Sequence, residues 1–206
     1  AATGSVTKER TDDDFPAIAV NGDGTVYTAF VSFTPGIDRD ERSKAWTQEP
    51  AEMDSLVSLP GGDRLWLAVT KPGGKTEKVP LTGGGGDLFK TSLVLDGEGR
   101  LWVFWSENKA WKTSGAAANF EIWTRSYKDG KLSEPVNLSE NEASDINPVA
   151  ATDAGGKVWV AWQGVRDGVF RILSKRQTGS GWSKEVRVST QSQNSWTPAI
   201  ASSKDG

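Results

Sequence analysis

The sequence predicts an all-β chain, and three observations carry that expectation. Ten tryptophans, 23 glycines and nine prolines among 206 residues suit many short strands joined by tight turns. No stretch sustains an apolar period of 3.6 residues, although Asp40 to Met53 has room for one short helical turn. One hairpin pattern also recurs: an apolar run, a Gly/Asp turn, then a second apolar run with an aromatic.

The pattern reads FPAIAVNGDGTVYTAF at Phe15 to Phe30, TSLVLDGEGRLWVFW at Thr91 to Trp105 and PVAATDAGGKVWVAW at Pro148 to Trp162. It begins again as PAIASSKDG at Pro198 to Gly206, and a weaker copy is SLVSLPGGDRLWLAV at Ser55 to Val69. Aligned at the turn, Gly24, Asp63, Gly99, Gly156 and Gly206 lie 39, 36, 57 and 50 residues apart. Two more strands follow the hairpin. Val169 to Arg176, a turn at Gly179 to Gly181 and Glu185 to Ser189 match Phe120 to Ser139, so that Ile122 aligns with Ile172, Arg125 with Lys175 and Leu138 with Val188. Second strands such as Leu101 to Trp105 are apolar throughout, which implies burial on both faces.

Four strands per repeat, at periods of about 40–50 residues, predict a β-propeller of four-stranded antiparallel blades. The expected blades span 15–52, 55–82, 89–139 and 147–189. Residues 5–8 read as the outer strand of a closing blade, and 198–206 as the first strand of a further one. The expectation is therefore about four blades plus partial blades at both ends, in a fragment or one chain of a split propeller.

Composition narrows the chemistry. A formal net charge of −3 argues against a duplex nucleic-acid partner. The chain has no cysteine and no histidine, which excludes disulfides, thiol catalysis, Ser-His-Asp mechanisms and histidine metal sites. No segment has the apolar length of a membrane span. A start at Ala1-Ala2 suits a processed, exported protein and equally a trimmed chain. The turns at Asn21 to Gly24, Asp96 to Gly99 and Asp153 to Gly156 lack the spaced ligands of an EF-hand loop. The glycine run from Thr82 to Asp87 lacks the Gly-Lys-Ser/Thr ending of a phosphate loop. No cofactor, metal site or catalytic residue is assigned.

The stretch INPVAATDAGGKVWVAWQGVRDGVFRILSKRQTGSGWSKEVRVSTQSQNSWTPAIASSKDG resembles the blades of sialidase-like exported bacterial β-propellers. Those blades run proline, small apolar strand, Asp-rich turn, aromatic strand, Arg-Asp-Gly loop, Ile strand and Gly-Trp-Ser turn. The resemblance is strongest over Ala143 to Gly206 and weakest over Ser32 to Thr82. It implies an exported propeller. Against the family's Asp-box, the turns at Asp96 and Asp153 carry one extra residue before the aligned glycine. The Arg-Ile-Pro motif is absent. Tyr27 and Tyr127 are the only tyrosines; Tyr27 is expected to pack, and Tyr127 sits near a third-strand end, in the place for surface or inter-blade contacts.

Long loops on a rigid scaffold are where binding residues gather. The links into each first strand share an end with the loops Thr34 to Trp46, Asn108 to Asn119 and Gly164 to Gly168. Trp66, Trp102, Trp105, Trp159 and Trp162 are expected in second strands as core, with Trp123 and Trp182 also packing. Trp111, Trp196 and Trp46 are the candidates for an exposed aromatic platform, with Arg166, Asp167, Asp145 and Asn194 as its polar neighbours. The leading expectation is a non-catalytic module binding a polysaccharide or a protein. The alternatives are a sialidase-like glycoside hydrolase with catalytic residues partly outside this stretch, and an assembly subunit completed by strand addition from another chain.

Overall fold

The computed structural model describes residues 11–33, 62–108 and 118–203. Their fourteen strands form three antiparallel sheets. The first comprises β1 (Asp12–Val20), β2 (Val26–Phe33), β3 (Asp63–Thr70) and β4 (Thr76–Pro80), paired in that order. The second comprises β5 (Leu88–Leu95), β6 (Leu101–Asn108), β7 (Phe120–Lys128), β8 (Lys131–Leu132) and β9 (Val136–Asn137). The third repeats it with β10 (Asp145–Thr152), β11 (Val158–Arg166), β12 (Val169–Thr178), β13 (Gly181–Trp182) and β14 (Val186–Arg187). In the last two sheets the outer strand is broken in two, both pieces pairing with the long third strand.

Three expectations are corrected. Segments 15–52 and 55–82 do not make separate units, because β3 pairs with β2 from Val26↔Thr70 to Phe33↔Asp63. The apolar run Leu65 to Val69 is thus a third strand, flanked by β2 and β4, and Trp66 lies there and not in a second strand. The described residues hold three sheets, not about four. Asp12 to Asp14 pair with Val31 to Phe33 at the start of the first strand. Residues 5–8, 204–206 and the helical turn expected within Asp40 to Met53 lie outside the described residues; Pro198 to Ser203 are described without strand pairing.

The hairpin turns β5–β6 and β10–β11 are each built by one acid. Asp96 Oδ1 accepts the N–H groups of Glu98 and Arg100, and its Oδ2 accepts the Trp102 indole N–H at 2.9 Å. Asp153 likewise takes Lys157 N–H and the Trp159 indole at 2.8 Å, and that indole bond holds its carboxyl below the usual value. The turn closes through a glycine in the left-handed region, Gly99 or Gly156. One residue therefore fixes both the turn and the aromatic at the start of the next strand.

The sheets pack face to face through two apolar clusters. Leu67, Leu81, Leu93, Val103 and Trp105 lie between the first and second; Phe104, Ile122, Leu138, Val160, Trp162 and Leu173 lie between the second and third. A cation reaches across each boundary. Arg125 donates to the Leu81 carbonyl at 2.6 Å and Lys175 to the Leu138 carbonyl at 2.5 Å. The residue after each of these leucines, Thr82 or Ser139, accepts the N–H of Leu65 or Ile122. Trp182 sets its edge against Trp102 and Phe104 of the preceding sheet, and Tyr127 meets Tyr27 in the same way. At the turns, Gly97 N–H donates to Gly156 O, and a Cβ on Gly156 would stand 2.8 Å from the Gly97 Cα.

That contact is backbone on backbone, so it has little room to yield. Gly156→Ala is expected to cost about 1–3 kcal/mol in urea unfolding. Gly179→Ala, at a turn with nothing within 4 Å, is expected to stay within about 0.5 kcal/mol of the parent.

Candidate functional site

One end of the three sheets gathers the starts of the first strands and the connections between second and third strands. Asp12 faces Phe33 at the end of β2, Leu88 faces Glu107 of β6, and Asp145 faces Gly164 of β11. Each first strand carries a bulge there, between Asp14 and Ala17, Phe89 and Thr91, and Ile146 and Val149. The bulge places a non-glycine residue in the left-handed region: Phe15 at φ 51°, Lys90 at 53° and Asn147 at 59°. Thr197, at 51°, repeats the conformation ahead of Pro198.

Side chains on this end are aromatic and polar. Phe15 and Phe89 meet edge to face at 4.9 Å, Phe120 continues the row, and the Lys90 ammonium lies over the first two rings at 5.1 and 5.7 Å. Gln163 Oε1 accepts from both Asn147 Nδ2 and Thr197 N–H at 3.1 Å, tying β10 to the segment beyond the third sheet.

Trp196 is the expected platform residue that the structure leaves open, with 54% of its surface exposed. Its ring lies on Phe170 at 4.2 Å between centroids and a 36° tilt. Asn194 holds that geometry: its Oδ1 accepts Phe170 N–H at 2.9 Å, while Ser195 N–H donates to Phe170 O. Asp167 sits left-handed at the turn from β11 to β12, exposed, and pairs with Arg187 at 2.7 Å. Trp196, Asn194 and Asp167 thus share one corner of the third sheet. Trp46 and Trp111 lie outside the described residues.

Asp145 and Arg166 are corrected. Asp145 is 0% exposed, so its carboxylate does not face a ligand. It accepts the Trp162 indole N–H at 2.7 Å, bonds Asn141 and pairs with Arg166 at 3.2 Å. Arg166 is itself held by Glu185 at 2.6 Å. In the second sheet the matching indole, Trp105, donates to Glu107, which comes from the second strand and faces Leu88. The third sheet takes its carboxylate from the first strand, and the facing position must then be Gly164, where a Cβ would collide with Asp145. Both arrangements answer the same need, an acceptor for a buried indole.

Phe170, Gln163, Lys90 and Arg187 were not singled out from the sequence. The Phe15-Pro16 and Asn147-Pro148 dipeptides mark two of the three bulges in the sequence, and Thr197-Pro198 repeats the pattern beyond the third sheet. Phe170 has only its place two residues beyond the Asp167-Gly168 turn to signal it.

No protein-family model and no curated protein matches the chain. Solved structures do. The chain is similar to a protein of unknown function from Dyadobacter fermentans (TM-score 0.58, 16% identity, 87% of this chain and 51% of that one). It is also similar to an ulvan lyase, a polysaccharide lyase bound to GlcA(1-4)Rha3S (TM-score 0.57, 12% identity, 87% and 44%). A third is an α-L-arabinanase from Penicillium chrysogenum in complex with arabinobiose (TM-score 0.55, 9% identity, 91% and 48%). The chain spans about half the length of each. At these identities the likeness is one of fold.

Burial pushes the Asp145 carboxyl up to about 7, against the pull of Arg166 and the Trp162 indole, from 3.8. A raised carboxyl favours the folded state while protonated, and that contribution is lost as pH rises through the folded value. Thermal melts are expected to show the parent losing stability relative to Asp145→Asn between pH of about 4 and about 7. Parallel curves across that range would contradict this account of Asp145.

Proposed function

We propose that the three sheets are blades of a β-propeller, and that the chain is a glycan-binding module of an exported protein acting without catalysis. The observation that carries the glycan reading is Trp196, exposed on Phe170 at the end where the loops converge. An indole face held in place by a second ring suits the apolar face of a sugar. Asn194 and the Asp167–Arg187 pair at the same corner supply polar groups for hydroxyls. The bulged strand ends add Asn147 and Lys90 along the same rim. The ulvan lyase and the arabinanase support the reading by analogy, since both carry this fold, one as a polysaccharide lyase and the other in complex with arabinobiose.

Sheets that pack face to face, with each first strand beside the next, support the propeller reading. The Ala150 N–H donates to Ser92 Oγ and Thr152 Oγ1 to Leu95 O, linking neighbouring first strands. Among the described residues no helix is long and apolar enough to cross a membrane.

Affinity electrophoresis in gels containing arabinan or ulvan tests the glycan reading. Trp196→Ala is expected to weaken retardation about tenfold, the equivalent of about 1.4 kcal/mol. Trp182→Phe, which keeps the ring between the second and third sheets, is expected to leave binding unchanged. Equal retardation of Trp196→Ala and the parent would overturn Trp196 as the platform.

A further inference from the structure

We infer that the open side of the third sheet is a docking face for the remaining strands of a fourth unit of this repeat, whose first strand is residues 198–203. The inference rests on the propeller reading and is independent of the glycan reading.

Three equivalent positions show that this face is unfinished. Leu81 and Leu138 are 1% and 2% exposed, each covered by the following sheet. Val188 makes the same bond, its N–H to Ile172 O at 2.8 Å, as Leu138 makes to Ile122 O, yet it is 58% exposed. The Leu81 and Leu138 carbonyls each receive a cation from the next sheet, whereas among the described residues the Val188 carbonyl receives none. Trp102 is covered by Trp182; its counterpart Trp159 borders a cavity of about 770 Å³, lined also by Ala151, Arg176 and Ile200.

The occupant's chemistry follows from the two finished boundaries. Its long strand carries a Lys or Arg three residues beyond its own counterpart of Ile172, as Lys175 follows Ile172 and Arg125 follows Ile122. Its outer turn carries a large apolar residue, as Trp182 and Leu132 do, to fill the space beside Trp159. A second copy offering its first sheet does not fit. The corresponding positions there are Ala68 and Thr76, which supply neither the cation nor the apolar bulk.

The absence of cysteine makes a single-thiol test clean. Val188→Cys in the 206-residue chain is expected to react with a maleimide within about tenfold of its rate in urea. The chain is then extended after Gly206 by a second copy of residues 157–189, which completes a unit begun by 198–206. The extension is expected to add strand signal in circular dichroism and to slow labelling by at least about tenfold. Lys175→Met with Trp182→Ala in the appended copy should return labelling towards the unextended rate. The inference is overturned by a thiol protected more than about a hundredfold without the extension. An appended copy that stays unstructured, or that folds and leaves labelling unchanged, overturns it too. Glycan binding does not enter this readout, so either reading can fail while the other stands.

Discussion

Everything in this structure hangs on how one sheet is fastened to the next. A flat apolar face would let neighbouring sheets slide, because hydrophobic contact has no direction. The cations of the third strands remove that freedom. Arg125 and Lys175 each find one carbonyl on the preceding sheet, and that carbonyl belongs to a leucine already buried in the boundary. Polar and apolar contacts therefore specify the same alignment. The glycine contact at the turns closes the far end of the boundary, so the second and third sheets are located at two separated places.

The site inherits its geometry from that fastening. First strands set side by side bring their bulged ends together, and Gln163 carries the arrangement on to Thr197 and so to Trp196. The Trp196 ring is held by a neighbouring ring and by the Asn194 cap instead of by burial. A surface aromatic oriented in this way presents its face without first having to be ordered. Asp145 and Arg166 lie behind this surface. Their role is to hold the Trp162 indole, and the loop between β11 and β12 leaves the sheet from Arg166.

Much of this was legible in the residues. The hairpins at Asp96 and Asp153 and the matching of Ile122 with Ile172, Arg125 with Lys175 and Leu138 with Val188 all follow from aligning one repeat on another. The first sheet resisted the same treatment. Residues 34–61 separate its second and third strands, and Gly61-Gly62-Asp63 before an apolar run imitates a hairpin turn. Asp145 misled for a different reason. The carboxylate that serves the buried indole moves from the second strand to the first between sheets, and only the facing residues, Leu88 and Gly164, reveal the exchange. A pattern read along one strand does not contain that information; it lies across the pair.

The bulged ends have one further implication. Phe15, Lys90 and Asn147 share a backbone conformation but nothing in size, charge or polarity. The left-handed turn of the chain is therefore imposed by the surrounding sheet and not chosen by the residue that adopts it. Each repeat holds out one side chain at the same place while the scaffold beneath stays constant. Such an array separates display from architecture: the lettering along the rim can be rewritten one position at a time, and the frame that carries it does not have to be redrawn.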